Sequence, residues 1–258
     1  MKTVTLAFEQ FGSPTDTPPL IILHGFFAAA RNWRQIAQQL AAHFLVYVPD
    51  CRNHGASPHH ADMDYPLMAA DVVAFMEVRH IEQAYLLGHS MGGKTAMWCA
   101  LHYPEKITKL IVADIAPVSY THSFDKLLIA LQSLPLAEID SRKQADEYLA
   151  PLITELSYRQ FLLQNLVAHE GHYRWRIDLD IFKATATNIV AFPETENLPP
   201  YQGDTLFLTG AQSNYVNAPS YAAFPQAHFY AIAKAGHWLH VQQPTIFVQR
   251  VTDFLQKT

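Results

Sequence analysis

Six short apolar runs, at residues 20–23, 44–48, 84–87, 110–113, 206–208 and 229–232, alternate with stretches in which apolar residues recur at helical spacing, at 33–40, 68–78, 91–101 and 246–255. This alternation constrains the fold more than any other feature of the chain. Runs apolar at every position suit strands buried on both faces, and helix-length connections between them are the crossovers that parallel strands need. The expected fold class is therefore α/β, a mostly parallel central sheet flanked by helices. Residues 1–10 differ, alternating Val4, Leu6 and Phe8 with polar neighbours, without the basic start and apolar run of a signal peptide.

The rhythm stops after Asp114 and resumes near Thr205, about ninety residues later. The interval holds helical patterns at 124–131, 144–153 and 158–167, then Tyr173-Arg174-Trp175-Arg176, and ends in a breaker-rich stretch at 193–200. The expectation is a helical cap, residues 117–200, inserted into a core made of 1–116 and 201–258. An insertion at the carboxyl end of a strand lies over the crevice where such sheets bind ligands.

With 258 residues, half of them hydrophobic and 16% charged, the chain suits one well-buried domain carrying an insert. The net charge of −5 comes without any block of Lys or Arg, which excludes nucleic acid as an expected partner. No segment reaches the about 18 apolar residues of a membrane span. Cys51 and Cys99 lie far apart and form no Cys-x-x-Cys pair, so a reducing, cytoplasmic setting is expected, with Cys51 a small buried residue rather than a nucleophile. Monomer and small homo-oligomer are both open.

The run Tyr85-Leu86-Leu87 leads directly into Gly88-His89-Ser90-Met91-Gly92-Gly93 and then into a helical pattern. Glycines two before and two after Ser90 allow a sharp strand-to-helix turn that exposes the hydroxyl, and the helix N-terminus favours a developing oxyanion. Ser90 is thus the expected nucleophile. The competing reading is a glycine-rich turn without chemistry, but the strand before it and the helix after it are the context that the motif requires.

A serine needs a base. His237, in Gly236-His237-Trp238, follows the last apolar run, while His240 is a second candidate nearer the terminal helix. His-x-x-His spacing without a carboxylate beside it gives no metal site. In most enzymes with this elbow the acid follows the penultimate strand, yet here the loop reads Ala211-Gln212-Ser213-Asn214. Asp114 ends the run at 110–113, which should neighbour the nucleophile's strand, and is the expected acid, its alternative being an anchor for the cap's first loop. Asp204 precedes its strand and Asp253 falls within the terminal helix, so neither competes. The oxyanion hole is expected from the backbone N–H groups of Phe26 and Met91, with His24 fixing the first of those loops by hydrogen bonding. Phe26 and Phe27 either line an acyl pocket or pack under the cap.

His24-Gly25-Phe26-Phe27, Asp50-Cys51-Arg52-Asn53-His54-Gly55-Ala56-Ser57, the stretch 88–94, Asp114-Ile115-Ala116-Pro117-Val118, Gly236-His237-Trp238 and Tyr173-x-Trp175-Arg176-x-x-Leu179 together resemble the α/β-hydrolase superfamily, and within it the small YbfF-like bacterial esterases. The resemblance runs nearly end to end. It implies a catalytic Asp after the strand that follows the nucleophile helix, which is Asp114, and esters of short acyl chains as substrates, with acyl-coenzyme A thioesters cleaved by some members. Asp178 stands where relatives commonly have Asn, and reads as a solvated acid or a partner for Arg176. Arg52, Asn53 and His54 read as ties for their loop.

The expectation is a serine carboxylesterase that hydrolyses small to medium acyl esters through an acyl-enzyme, without metal or organic cofactor. Phe27, His89, Phe124, Tyr173, Trp175 and Trp238 are the candidates to contact the small-molecule ester. Leu127, Leu131, Phe161 and Leu162 complete an apolar roof. The alternatives are an acyl-coenzyme A thioesterase, with Arg176 or Lys94 meeting a phosphate, and a ligand-binding scaffold without turnover. A haloalkane dehalogenase would need a carboxylate where Ser90 stands.

Overall fold

The apolar runs assemble into one seven-stranded sheet in the computed structural model, which describes residues 2–217 and 221–257. In chain order the core strands are β1 (Phe8–Phe11), β2 (Leu20–Leu23), β3 (Val46–Pro49), β4 (Ala84–His89) and β5 (Ile107–Ala113). After the insert come β8 (Asp204–Gly210) and β9 (Ala227–Ile232), and the spatial order is β1-β3-β2-β4-β5-β8-β9. All neighbours are parallel except β1 and β3, which pair antiparallel with Phe8 opposite Pro49. The half-exposed alternation of the N-terminal segment belongs to this edge strand.

Residues along β2 divide between the two faces with period two. Ile21 and Leu23 join α2 (Tyr65–Val78) and α3 (Met91–His102) on one side, whereas Leu20 and Ile22 join α1 (Arg34–Leu40) and α9 (Pro244–Gln256) on the other. Each central strand is covered twice, which is why its core is a continuous apolar run. Phe44, at the start of the second apolar run, lies before β3 rather than in it, its N–H bonded to Leu40 O at 3.1 Å beyond α1.

Between β5 and β8 lie α4 (Asp125–Gln132), α5 (Arg142–Leu149), α6 (Leu156–Leu162), β6 (Leu166–His169), β7 (His172–Trp175) and α7 (Leu179–Val190). The insert is helical except at β6 and β7, which pair antiparallel with His169 opposite His172. Glu170 (φ 50°) and Gly171 (φ 82°) are both left-handed, the two-residue turn that matches the twist of a hairpin. Tyr173 and Trp175 therefore belong to a strand. Asp178 is half-buried and does not pair with Arg176 among the described residues: it caps α7, accepting from the N–H groups of Asp180 and Ile181 at 3.0 Å each.

Parallel registers align the strand ends that matter. Leu23 lies opposite Gly88, His89 opposite Ala113, Ala113 opposite Leu208, and Gly210 opposite Ile232. The loops after β2, β4, β5, β8 and β9 consequently leave the sheet at one edge. Beyond β9, α8 (Leu239–Gln242) precedes α9. Among the described residues no helix is long and apolar enough to cross a membrane.

Candidate active site

Ser90 occupies the single residue between β4 and α3, with φ 52° and ψ −119°. That strained conformation is held by two close backbone approaches. A Cβ on Gly88 would meet Gly92 O at 2.1 Å, and one on Gly92 would meet Leu23 O at 2.3 Å, so both flanking positions exclude a side chain. Ser90 N–H bonds to Ala113 O at 3.1 Å, tying the turn to β5. Met91 opens α3, so its N–H has no carbonyl within the helix. Phe26 N–H likewise has no acceptor among the described residues.

The loop after β2 is pinned by His24. Its Nε2 accepts from Cys51 N–H at 3.0 Å, which leaves Nδ1 to donate to Gly25 O at 2.8 Å. Burial lowers the pKa of the ring and keeps it neutral. Phe27 is left-handed (φ 63°) and its carbonyl accepts from Asn165 Nδ2 at 2.8 Å, so the insert holds this turn from above. Phe26 stacks on Phe182 of α7 at 4.5 Å and also lines the cavity.

Asp114 follows β5 in a left-handed conformation (φ 52°) with its side chain fully buried. Oδ2 accepts from His237 Nδ1 at 2.7 Å and from Ser213 Oγ at 2.5 Å. Oδ1 accepts from Gly210 N–H at 2.9 Å and Thr209 Oγ1 at 3.0 Å. Burial raises the pKa of this carboxyl, but the bonds from His237, Ser213 and Gly210 outweigh it and hold the group below its ordinary value. Donation from Nδ1 leaves His237 Nε2 as the acceptor. The ring lies against Tyr215 at 4.3 Å, and the His237 carbonyl accepts from His89 Nε2 at 2.8 Å.

His240 has a different setting. It is buried, stacks flat on Trp33 at 4.2 Å and 6°, and its Nδ1 has no partner among the described residues. Burial, with His89 and His237 nearby, drives its pKa well down. Asp204 starts β8 at the opposite edge, 3.9 Å from Lys109, and Asp253 pairs with Arg250 at 3.7 Å.

A cavity of about 720 Å³ opens between this edge and the insert. Ser90, Met91, His237, Phe26, Phe27, His89, Phe124 and Trp238 all line it. Tyr173 and Trp175 do not; the hairpin carries them into packing against the core instead, so they leave the list of substrate contacts. Of the expected roof, Phe161 lines the cavity while Leu127, Leu131 and Leu162 pack behind it. Sequence reasoning missed Trp33, Tyr65, Tyr120, Tyr158 and Tyr215, each brought in by a long-range contact that no local pattern marks. Lys94, weighed as a phosphate contact, lines the cavity with its ammonium on the carbonyls of Val190 and Ala191 at 2.8 Å each.

The chain is similar to known proteins. A family model described as alpha/beta hydrolase fold matches residues 18–244. The chain is 36% identical over 267 residues to the sn-1-specific diacylglycerol lipase ABHD11 of Xenopus laevis, across 99% of this chain and 85% of that protein. It is 32% identical over 245 residues to the esterase YbfF of Escherichia coli strain K12, across 93% of this chain and 94% of that one. A solved marine microorganism esterase superposes with a TM-score of 0.93 at 40% identity, covering 98% of this chain and 100% of its own. With the sheet order, the elbow and these likenesses in agreement, the chain belongs to the α/β-hydrolase family and is a hydrolase of its esterase and lipase type.

Proposed function

We propose that the chain is a serine carboxylesterase acting on small to medium acyl esters, with Ser90 as nucleophile, His237 as base and Asp114 as the acid that orients it. The observation that carries this reading is the 2.7 Å contact between His237 Nδ1 and the buried Asp114 carboxylate, on the wall of the cavity that Ser90 lines. A histidine so held presents Nε2 as a base and gains stabilisation when it becomes charged.

In this mechanism Ser90 Oγ attacks the ester carbonyl carbon while His237 Nε2 takes the hydroxyl proton. The carbonyl oxygen becomes an anion facing the Phe26 and Met91 N–H groups. Collapse of the adduct breaks the bond to the alkoxy oxygen, and His237 returns its proton to the departing alcohol. Water, deprotonated by His237, then attacks the acyl-Ser90 ester and releases the acid with the serine restored. Residues 117–200 act as the cap that excludes bulk water from these steps. A largely apolar cavity of about 720 Å³ suits an acyl ester of modest size.

The test is a chain-length series of nitrophenyl esters, with acyl-coenzyme A thioesters in parallel, on native enzyme, Ser90→Ala and Asp114→Asn. The reading expects turnover of short and medium esters that Ser90→Ala abolishes. Equal turnover by Ser90→Ala, or cleavage of thioesters alone, would overturn it.

A further inference from the structure

Lys94 lies one turn into α3, its N–H bonded to Ser90 O at 3.0 Å, and its side chain is buried in the cavity wall. Two of the three ammonium donors go to Val190 O and Ala191 O, at the end of α7 and just beyond it, and the charge lies over the ring of Tyr120 at 4.6 Å. No carboxylate pairs with it among the described residues. The two buried arginines show how this chain otherwise treats a cation. Arg52 meets Asp71 at 2.6 and 2.9 Å, and Arg159 meets Asp146 at 3.0 and 3.2 Å. A desolvated charge with no counterion is costly, and of the three only Lys94 stands where a ligand can supply one.

We propose that Lys94 binds a carboxylate at the far end of the substrate's acyl group, so that half-esters of dicarboxylic acids are preferred over neutral esters of the same length. The proposal rests on the esterase reading and names its substrate class. The cavity wall around Lys94 is built by Ile115, Tyr65, Tyr120, Ile189 and Val190, a mostly apolar sleeve suited to a methylene chain. Both phenols there donate elsewhere, Tyr65 to Ile189 O and Tyr120 to Tyr215 O, at 2.5 Å each. The third ammonium donor is thereby the charged donor left for an anion at that end. A second group of lining residues, with Trp33 stacked on His240 and Tyr158 of α6 against Trp238, is left for the alcohol portion.

Burial lowers Lys94 to about 7, so a carboxylate beside it favours the charged form and binding takes up a proton. The titratable groups facing it are Tyr65 from α2 and Tyr120 and His122 from the connection after β5. Burial raises both phenols, and burial with Lys94 nearby lowers His122, so all three are neutral at pH 7. The preference for half-esters should therefore shrink as Lys94 deprotonates.

The experiment compares ethyl half-esters from succinic to suberic acid with ethyl esters of the monocarboxylic acids of equal carbon number. In the native enzyme the ratio of kcat/KM, half-ester over neutral ester, is expected to exceed one at a preferred length and to fall between about pH 6.5 and about pH 8.5. Lys94→Gln, which keeps an amide donor for the carbonyls, is expected to lower that ratio by about 10- to 100-fold. A ratio unchanged by Lys94→Gln, or neutral esters preferred at every length by the native enzyme, overturns the proposal. Calorimetric binding of the half-esters to Ser90→Ala and to Ser90→Ala/Lys94→Gln needs no turnover. If the native enzyme cleaves no ester, the esterase reading falls, while the same binding comparison still decides the role of Lys94.

Discussion

Ser213 donates its hydroxyl to Asp114 Oδ2 at 2.5 Å, the same oxygen that accepts from His237 Nδ1. The loop after β8, where the acid of this fold usually stands, here supports an acid supplied by the loop after β5. One carboxylate thus collects donors from two neighbouring strand ends, and its depressed pKa follows from that crowding of hydrogen bonds.

Moving the acid back across this contact is expected to restore function. Asp114→Asn should lower kcat by about 10⁴-fold, because an amide holds the wrong imidazole tautomer and cannot stabilise its charge. Adding Ser213→Asp to that variant should recover at least about tenfold, since the second position already touches the first. Steady-state rates of the single and double variants check this, and a double variant no better than Asp114→Asn would contradict it.

Gly92→Ala should destabilise the fold as well as disable the elbow. Its Cβ would sit 2.3 Å from Leu23 O and 2.6 Å from His24 O, backbone atoms at the end of β2 and the start of the loop that carries Phe26. Overpacking of this kind costs about 1–3 kcal/mol or more, a Tm fall of about 3–10 °C for a chain of this size. Thermal unfolding measures it, and an unchanged Tm would show that the loop gives way freely.

Stability should decline below about pH 6.5. Burial is the main cause at His54 and His240 and holds both rings well below their ordinary value of 6.5. As pH falls through 6.5 the unfolded chain binds protons that the folded rings refuse, so each ring removes at most about 2 kcal/mol by pH ~5. His240→Phe keeps the stack on Trp33 and removes the unpartnered Nδ1. Urea unfolding should show a smaller loss between about pH 7.5 and about pH 5 in this variant than in the native chain. An identical loss would contradict the assignment.

The hairpin aromatics and the cavity aromatics should separate cleanly. Trp175→Ala removes packing outside the cavity and should leave the acyl-length profile unchanged, whereas Phe124→Ala enlarges the cavity and should shift it towards longer chains. Profiles with nitrophenyl esters decide, and a shift caused by Trp175→Ala would mean that the hairpin moves onto the site.

The core strands and the strand–Ser90–helix junction were legible because each is written locally, in apolar runs and in two glycines that the backbone crowds. The contact between Asp114 and His237 was legible by a different route, from the absence of an acid at Ser213 together with parallel order. The β6–β7 hairpin was missed because Glu170, a residue with no preference for the left-handed region, stands where Asn or Asp commonly marks such a turn. The same error placed Tyr173 and Trp175 over the substrate. Tyr65, Tyr120 and Tyr158 reach the cavity from three separate segments, and their convergence depends on how the insert docks, which no spacing encodes.

The central claim is that Ser90 is the nucleophile, and trapping the covalent adduct tests it most directly. Native protein treated with a fluorophosphonate and digested should carry the label on the peptide containing Ser90, as read by mass spectrometry, and Ser90→Ala should carry none. A label on another residue, or one retained in Ser90→Ala, would contradict the account.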